Sequence, residues 1–379
     1  MRPEIHEEVG AVSRYCSRRE FLRGAAALAG GSILARSARA DTPGLYSPRS
    51  TVSLVKGDVR RQNVYNALNQ IDDQIAPLLA TKKIVLIKPN LVWGDCPVGT
   101  TNIDAVGGIL DYLRGVRNYK GPVVIAEASA DDTRANFSGY KYAQVVNEFS
   151  GVFASVSLVD MNQEGDDGKF VVQQVVDQNL HIQPVRLAAR LFDPDAFIIC
   201  SAIPKTHDRV VATMSVKNMA MGSPLHTNNL ADGWWAWNDK PKMHDTHRLA
   251  NVNIFQVAQR LKQFWGVAVI DGYQGMEGNG PTAGTPVDSR LAIASTDFVA
   301  ADRVGVECMG IDPSWIGYLN YAWNLGLGQF DLSKIDIRGE QPATVKQVYT
   351  LHQDINDELQ WLAPFPSCNP SIMRPWRQM

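Results

Sequence analysis

Two stretches decide the fold class: Lys83-Ile84-Val85-Leu86-Ile87-Lys88-Pro89-Asn90 and Ala196-Phe197-Ile198-Ile199-Cys200-Ser201-Ala202. Each is a short, continuous apolar run. A strand with one wet face alternates apolar and polar residues; a strand covered on both faces does not. Thr51–Lys56, Val123–Ala126, Val267–Asp271 and Leu291–Ala294 read as further strands. Between them the period changes. Gln62–Ala76 sets Val64, Leu68, Ile71 and Ile75 on one helical stripe, and Asn102 stands as N-cap before Ile103–Leu113. Val252–Phe264, Asp297–Cys308 and Ser314–Trp323 also read as helices. Strand and helix patterns in alternation predict an α/β fold. Its sheet is mostly parallel with helices on both faces, built as one large domain or two fused lobes. The α/β domain spans 51–340. Residues 151–190 are rich in Val and Gln with weak helical spacing, and read as a β insertion or subdomain. The tail, 341–379, is Pro-rich and aromatic towards its end and is expected to wrap the surface.

Upstream stands Ser17-Arg18-Arg19-Glu20-Phe21-Leu22-Arg23, followed by a weakly apolar run to Ala35 and by Ala38-Arg39-Ala40. A basic start, a short apolar run and a small-residue end make an export signal. The paired arginines and low hydrophobicity indicate the twin-arginine (Tat) route, which carries folded proteins. Residues 1–40 are therefore expected to be a Tat signal peptide and 41–50 a polar linker. The expected partner is the Tat export machinery and the expected location periplasmic, or otherwise outside the cytoplasm. The apolar run is shorter than the roughly twenty residues a bilayer requires. No later segment reads as a transmembrane span.

The chain has 379 residues and a net charge of −2, with 45% hydrophobic and 20% charged residues. Residues 1–40 carry seven arginines and four acids, so removing that +3 leaves about −5. No basic face is evident, so nucleic acid is not an expected partner. The cysteines, Cys16, Cys96, Cys200, Cys308 and Cys368, form no C-x-x-C pair, so iron–sulfur and zinc-ribbon spacings are lacking. An oxidising compartment permits one disulfide, but sequence does not select its pair.

The polar residues that follow apolar strands are the candidate site, because open parallel sheets bind ligands beyond their carboxyl ends. Lys88 and Asn90 follow the first run, and Glu127 follows Val123–Ala126. Glu127 can bind a ligand, accept a proton or pair with Lys88. The densest cluster is Lys205-Thr206-His207 with Thr213, Ser215, Lys217 and Asn218. Neighbouring lysines repel, which lowers a pKa and can create a base or nucleophile. His207 titrates near neutrality and suits proton transfer. A solvated strand end or an anion site without chemistry would use the same residue types. His244-Asp245-Thr246-His247 offers an i, i+3 histidine pair for a metal, with Asp271, His226 or Glu277 as a further ligand; a helix N-cap explains it as well. Asp271–Gly284 holds five glycines in fourteen residues and contains Glu277, a candidate acid, base or ligand. Pro281 falls where a dinucleotide fingerprint would start its helix. Gly233-Trp234-Trp235-Ala236-Trp237 reads as a lid, a stacking surface or an anchored loop.

Four of these motifs, in order, carry a family resemblance: Ile87–Leu91; Pro204–His207 with Ser215–Asn218; Asp271-Gly272 with Glu277–Pro281; and Ser295–Asp297 with Ala300–Asp302. Over roughly Val52 to Gly339 the chain resembles the family called domain of unknown function 362. That resemblance implies positions and not a reaction. Some members carry ferredoxin-like modules, whose cysteines this chain lacks, and others a Tat signal. The His207–Lys217 spacing is also similar to the catalytic segment of lactate-racemase-type proteins. There a histidine and a downstream lysine serve a nickel-pincer cofactor. Carried over, Lys217 would anchor a cofactor and His207 would move a proton. Thr213-Met214-Ser215-Val216 stands where that family's lysine has a Gly-rich context.

The expectation is an exported enzyme acting on a small anionic substrate. His207, Lys217 and Glu277 are the candidate catalytic groups. Lys88, Asn90, Glu127, Lys205, Thr206 and Asn218 are the candidate anion-binding groups. His244, His247 and Asp271 are the candidate metal ligands. The cofactor is open: a metal ion, or an organic or metal cofactor loaded before Tat export. The alternative is a non-catalytic periplasmic protein that binds a metabolite or matures a metalloenzyme.

Overall fold

The structure is a computed structural model that describes residues 48–228 and 237–362. The signal 1–40, all but the end of the linker, Trp234, Trp235 and the last part of the tail lie outside the described residues. Fourteen strands occur among the described residues. They are β1 (Ser50–Lys56), β2 (Ile84–Lys88), β3 (Pro122–Glu127), β4 (Ser155–Asp160), β5 (Phe170–Val176), β6 (Ile182–Ala188) and β7 (Ala196–Ala202). Then follow β8 (Lys205–His207), β9 (Val211–Thr213), β10 (Trp265–Gly272), β11 (Gly275–Glu277), β12 (Thr285–Val287), β13 (Leu291–Ser295) and β14 (Ile335–Gly339).

Eight strands form the main sheet in the order β14-β1-β13-β10-β7-β2-β3-β4. β13 runs against both neighbours, and the other five neighbouring pairs are parallel. The fold is therefore α/β with a mostly parallel sheet. Its apolar runs are buried on both faces because successive side chains point opposite ways. Val85, Ile87, Phe197 and Ile199 pack on one side, with the helices Arg60–Gln70 and Ile103–Gly115. Leu86, Ile198, Cys200 and Ala202 pack on the other, with the helices Ser215–Gly222, His247–Leu261 and Phe298–Cys308.

The helix expected over Gln62–Ala76 is two. Arg60–Gln70 ends at Ile71 (φ −117°, ψ 22°), and Asp72–Leu79 begins at once. Asp72 and Asp73 in the new first turn face the positive end of the helix dipole, which favours a restart. The apolar stripe survives the break, with Val64, Leu68, Ile71 and Ile75 all fully buried. Asn102 caps its helix by accepting the Asp104 N–H at 2.9 Å. The residues 151–190 form β4, a short helix (Met161–Asp166) and the antiparallel β5–β6 ribbon; β4 joins the main sheet, and the ribbon stands apart as its own two-stranded sheet.

A second sheet, β12-β11-β8-β9, lies beyond the carboxyl ends of β7 and β10 in the chain. Short connections feed it: Ile203-Pro204 joins β7 to β8, and Tyr273-Gln274 joins β10 to β11. Among the described residues no helix is long and apolar enough to cross a membrane.

Candidate functional site

Beyond the sheet's carboxyl edge lies a cavity of about 240 Å³, into which separate parts of the chain converge. Asn90, Leu91, Val92 and Trp93 follow β2; Glu127 ends β3; Lys205 and His207 come from β8; Thr213 ends β9. Lys217, Asn218, Met221 and Gly222 come from one helix, and Lys240 and His244 from another short segment. Pro281 closes it from the glycine-rich loop.

Four lysines are buried at this edge, with 0% exposure for Lys88, 1% for Lys205, 5% for Lys217 and 8% for Lys240. Their partners differ. Lys88 Nζ lies 2.8 Å from Glu127 Oε1 and also donates to Pro89 O and Asn218 Oδ1. Lys205 Nζ donates to Gly99 O at 3.0 Å. Lys240 Nζ donates to Ala128 O at 2.8 Å and Pro224 O at 2.6 Å. Lys217 Nζ has no hydrogen bond or ion pair among the described residues. Glu127 is the single carboxylate among the described lining residues. It is committed to Lys88 and to the N–H groups of Leu91 and Ala128. The cavity is therefore short of negative charge.

Burial penalises an ammonium and lowers its pKa. It brings Lys205 down to about 8. Burial, with Lys205 adding repulsion, brings Lys217 to about 7. Lys240 falls to about 7, again mainly by burial. His207 and His244 are driven well below 6.5 by burial and then by Lys217. Their rings stack with centroids 5.7 Å apart. His207 Nδ1 lies 3.0 Å from the Arg209 N–H and 3.1 Å from Asp208 Oδ1. A neutral ring nitrogen accepts from the first or donates to the second. The Arg209 N–H needs an acceptor, so we assign Nδ1 as acceptor, which puts the ring proton on Nε2.

The helix carrying Lys217 is anchored from its start. Asp302 accepts the N–H groups of Ser215 and Val216, each at 2.9 Å, and the Ser215 hydroxyl. These donors favour the carboxylate, and burial pushes the other way, up to about 7. Asn218, next to Lys217, bridges Pro89 O at 3.2 Å and Cys200 Sγ at 3.3 Å, so it ties the helix to β2 and β7.

The structure thus brings together Lys88, Asn90, Glu127, Lys205, His207, Lys217, Asn218 and His244. Asn90 Oδ1 is buried there without a partner. Thr206 supports the wall rather than lining it: its hydroxyl donates to Gly278 O at 2.8 Å. Gly280 packs so closely on that segment that a Cβ would sit 2.1 Å from Thr206 O, which explains one glycine of the loop. Glu277 is not brought to the cavity. Its Oε2 accepts the Thr350 N–H at 2.7 Å and so fastens the C-terminal segment to β11.

The expected metal set is not assembled either. Asp271 faces Arg60 Nε at 3.3 Å, His247 opens a helix capped by Thr246, and His226 is held against Ser129 O and Thr227 O. Among the described residues no three His, Cys, Asp or Glu side chains could share a metal ion. Cys96, Cys200 and Cys308 are free and buried.

No sequence pattern marks Lys240 as a cavity residue. Asp239-Lys240-Pro241-Lys242 looks like a solvated turn, and its one signal is a proline at a helix start. Trp237, the described member of the tryptophan cluster, carries the Arg186 guanidinium over its ring.

The chain is similar to the Thylakoid-associated protein sll1697 of Synechocystis sp., at 25% identity over 246 residues, covering 64% of this chain and 68% of that protein. Among solved structures it is similar to a Thermotoga maritima protein, at 10% identity and a TM-score of 0.39, over 59% of this chain. The chain spans about half of that structure, 52%. A family model matches residues 85–307, which include every lysine and histidine named above as lining the cavity. By that match the chain belongs to the family described as Domain of unknown function (DUF362).

Proposed function

We propose that the cavity is the active site of an exported enzyme that binds a small anion and moves a proton on it. One observation supports this reading above others. Lys205, Lys217 and Lys240 are buried around one space whose single described carboxylate is already paired with Lys88. An anion entering there meets desolvated cations, where a charge pair at 4 Å is worth about 4 kcal/mol at an effective dielectric near 20. Lys205 and Lys240 are held by backbone carbonyls and serve to fix the ligand. Lys217 is left for proton transfer, and the Nε2–H of His207 for a hydrogen bond to the ligand. A group with a pKa near neutrality is suited to both giving and taking a proton. Asn90 Oδ1 offers an acceptor for a ligand hydroxyl or amine. Leu91, Val92, Met221 and Pro241 give the anion's apolar part a wall. The twin-arginine motif supports export.

The test is calorimetric titration of the purified protein with small carboxylates and phosphates. Lys205→Ala and Lys240→Ala should each weaken binding about 30-fold or more. His207→Ala should bind normally and lose turnover. If no small anion binds, or both lysine variants bind as tightly as the parent, the proposal fails.

A further inference from the structure

Four buried lysines meet at one edge, and their nitrogens are not equivalent. Lys88, Lys205 and Lys240 each donate to fixed oxygens, which favours the ammonium form. Lys217 has no such acceptor among the described residues and lines the cavity. Lys205, His207 and His244 interact with it electrostatically as cations or neutral donors, and Asp208 is the one carboxylate that acts on it. Burial and the repulsion from Lys205 outweigh the attraction of Asp208, and among the described residues no hydrogen bond occupies the Lys217 lone pair. An unpaired amine in a desolvated pocket is the arrangement that attacks carbonyl carbon.

We infer that Lys217 is a nucleophile that forms an imine with a small 2-oxo carboxylate. This rests on the anion-pocket reading and specifies its substrate class. The carbonyl and the anionic group of such a compound are adjacent, and Lys217 and Lys205 line one cavity and repel each other across it. The carboxylate pairs with Lys205, and the carbonyl carbon meets Lys217 Nζ. Addition forms the N–C bond and breaks the carbonyl π bond, and one proton passes from the nitrogen to the oxygen to give a carbinolamine. The His207 Nε2–H lines the cavity and serves as a hydrogen-bond donor to that oxygen as its negative charge develops. The C–O bond then breaks, the hydroxyl leaving as water with one proton taken from solvent, and the nitrogen lone pair forms the C=N bond of a protonated imine. The protonated imine then draws electrons from the adjacent carbon, so a proton or carboxylate there is released more readily. No oxidant or reductant is needed. The about 240 Å³ space suits a ligand of this size.

The experiment is reductive trapping. The full chain is mixed with pyruvate, 2-oxobutyrate or phenylpyruvate, treated with sodium borohydride, and mapped by peptide mass. The matching 2-hydroxy carboxylates serve as controls, and thermal melting is recorded for every compound. The expected result is one reduced adduct per chain, on Lys217, with at least one 2-oxo acid and none with the 2-hydroxy acids. Lys217→Ala, checked for folding by its melt, should lose the adduct, and Lys240→Ala should reduce it at limiting concentration. If 2-oxo and 2-hydroxy acids both raise the melting temperature but no adduct forms on Lys217, the imine step is wrong and the anion pocket stands. If adducts scatter over exposed lysines, the inference is equally overturned. If no compound shifts melting and none is trapped, both readings fall.

Discussion

The imidazole rings of His207 and His244 lie 7° from parallel with their centroids 5.7 Å apart, although β8 and the short helix that carry them are far apart in sequence. His207 is buried and His244 half-buried, and protonating either places a cation beside Lys217. Both folded-state pKa values therefore lie below the ordinary 6.5. Between those values and 6.5 the unfolded chain binds more protons than the folded one. The stabilising effect is complete above 6.5 and is lost as pH falls. Urea unfolding measured from pH 7.5 down to 5 should show stability dropping once pH passes below about 6.5. His244→Phe, which keeps a ring in the stack, should make that drop shallower. An unchanged slope would show that this pair does not titrate as described.

Ligand binding should follow the lysines. Lys205 at about 8, and Lys217 and Lys240 at about 7, are partly neutral at mildly alkaline pH. An anion favours their ammonium forms, so binding takes up protons as pH rises above 7. Affinity should fall by up to about tenfold per pH unit for each proton taken up. Calorimetry in two buffers of different ionisation enthalpy measures the uptake directly. Binding that is flat from pH 6.5 to 9 would contradict the assignment.

Lys217 should also be costly to the fold. Its folded pKa of about 7 lies below the ordinary 10.5, so the unfolded chain holds the extra proton between those values. Stability from this group therefore rises with pH across that window and is lowest below it. Lys217→Met removes the cost, and at pH 7 the melting temperature should rise by about 5 °C. Turnover should be abolished in the same variant. A fall in melting temperature would mean that the amine has a stabilising partner.

The Lys88–Glu127 pair behaves in the opposite way. Its atoms lie 2.8 Å apart with side-chain exposures of 0% and 3%, so removing one partner strands a buried charge. Glu127→Ala should destabilise the protein by about 3–5 kcal/mol. Lys88→Met combined with Glu127→Leu should recover part of that loss, because the uncompensated charge is gone. Chemical denaturation of the two single variants and the double variant checks the coupling.

The sheet was legible because covered strands leave an unbroken apolar run, as in β2 and β7. Lys205, His207 and Lys217 were legible because one segment carries them straight off a strand end. Strand ends mark the edge of a sheet but not the direction a side chain takes. Asp271 is the last residue but one of β10 yet turns to Arg60, and Glu277 is claimed by Thr350, 73 residues further on. Lys240 was illegible for the converse reason. Its own neighbours are polar, and its burial comes from carbonyls at Ala128 and Pro224, 112 and 16 residues away. The restart at Ile71 was hidden because an apolar stripe continues across a break when both helices pack on the same layer.

The most direct measurement is the pH dependence of acylation at Lys217. The full chain is pulsed with a trace of acetic anhydride between pH 5.5 and 10, and each lysine is quantified by peptide mass. Lys217 should react with a midpoint near 7, as its buried setting implies, and a saturating small carboxylate should slow it. A midpoint near the ordinary 10.5, with no protection by any small anion, would contradict a near-neutral amine waiting in an anion pocket.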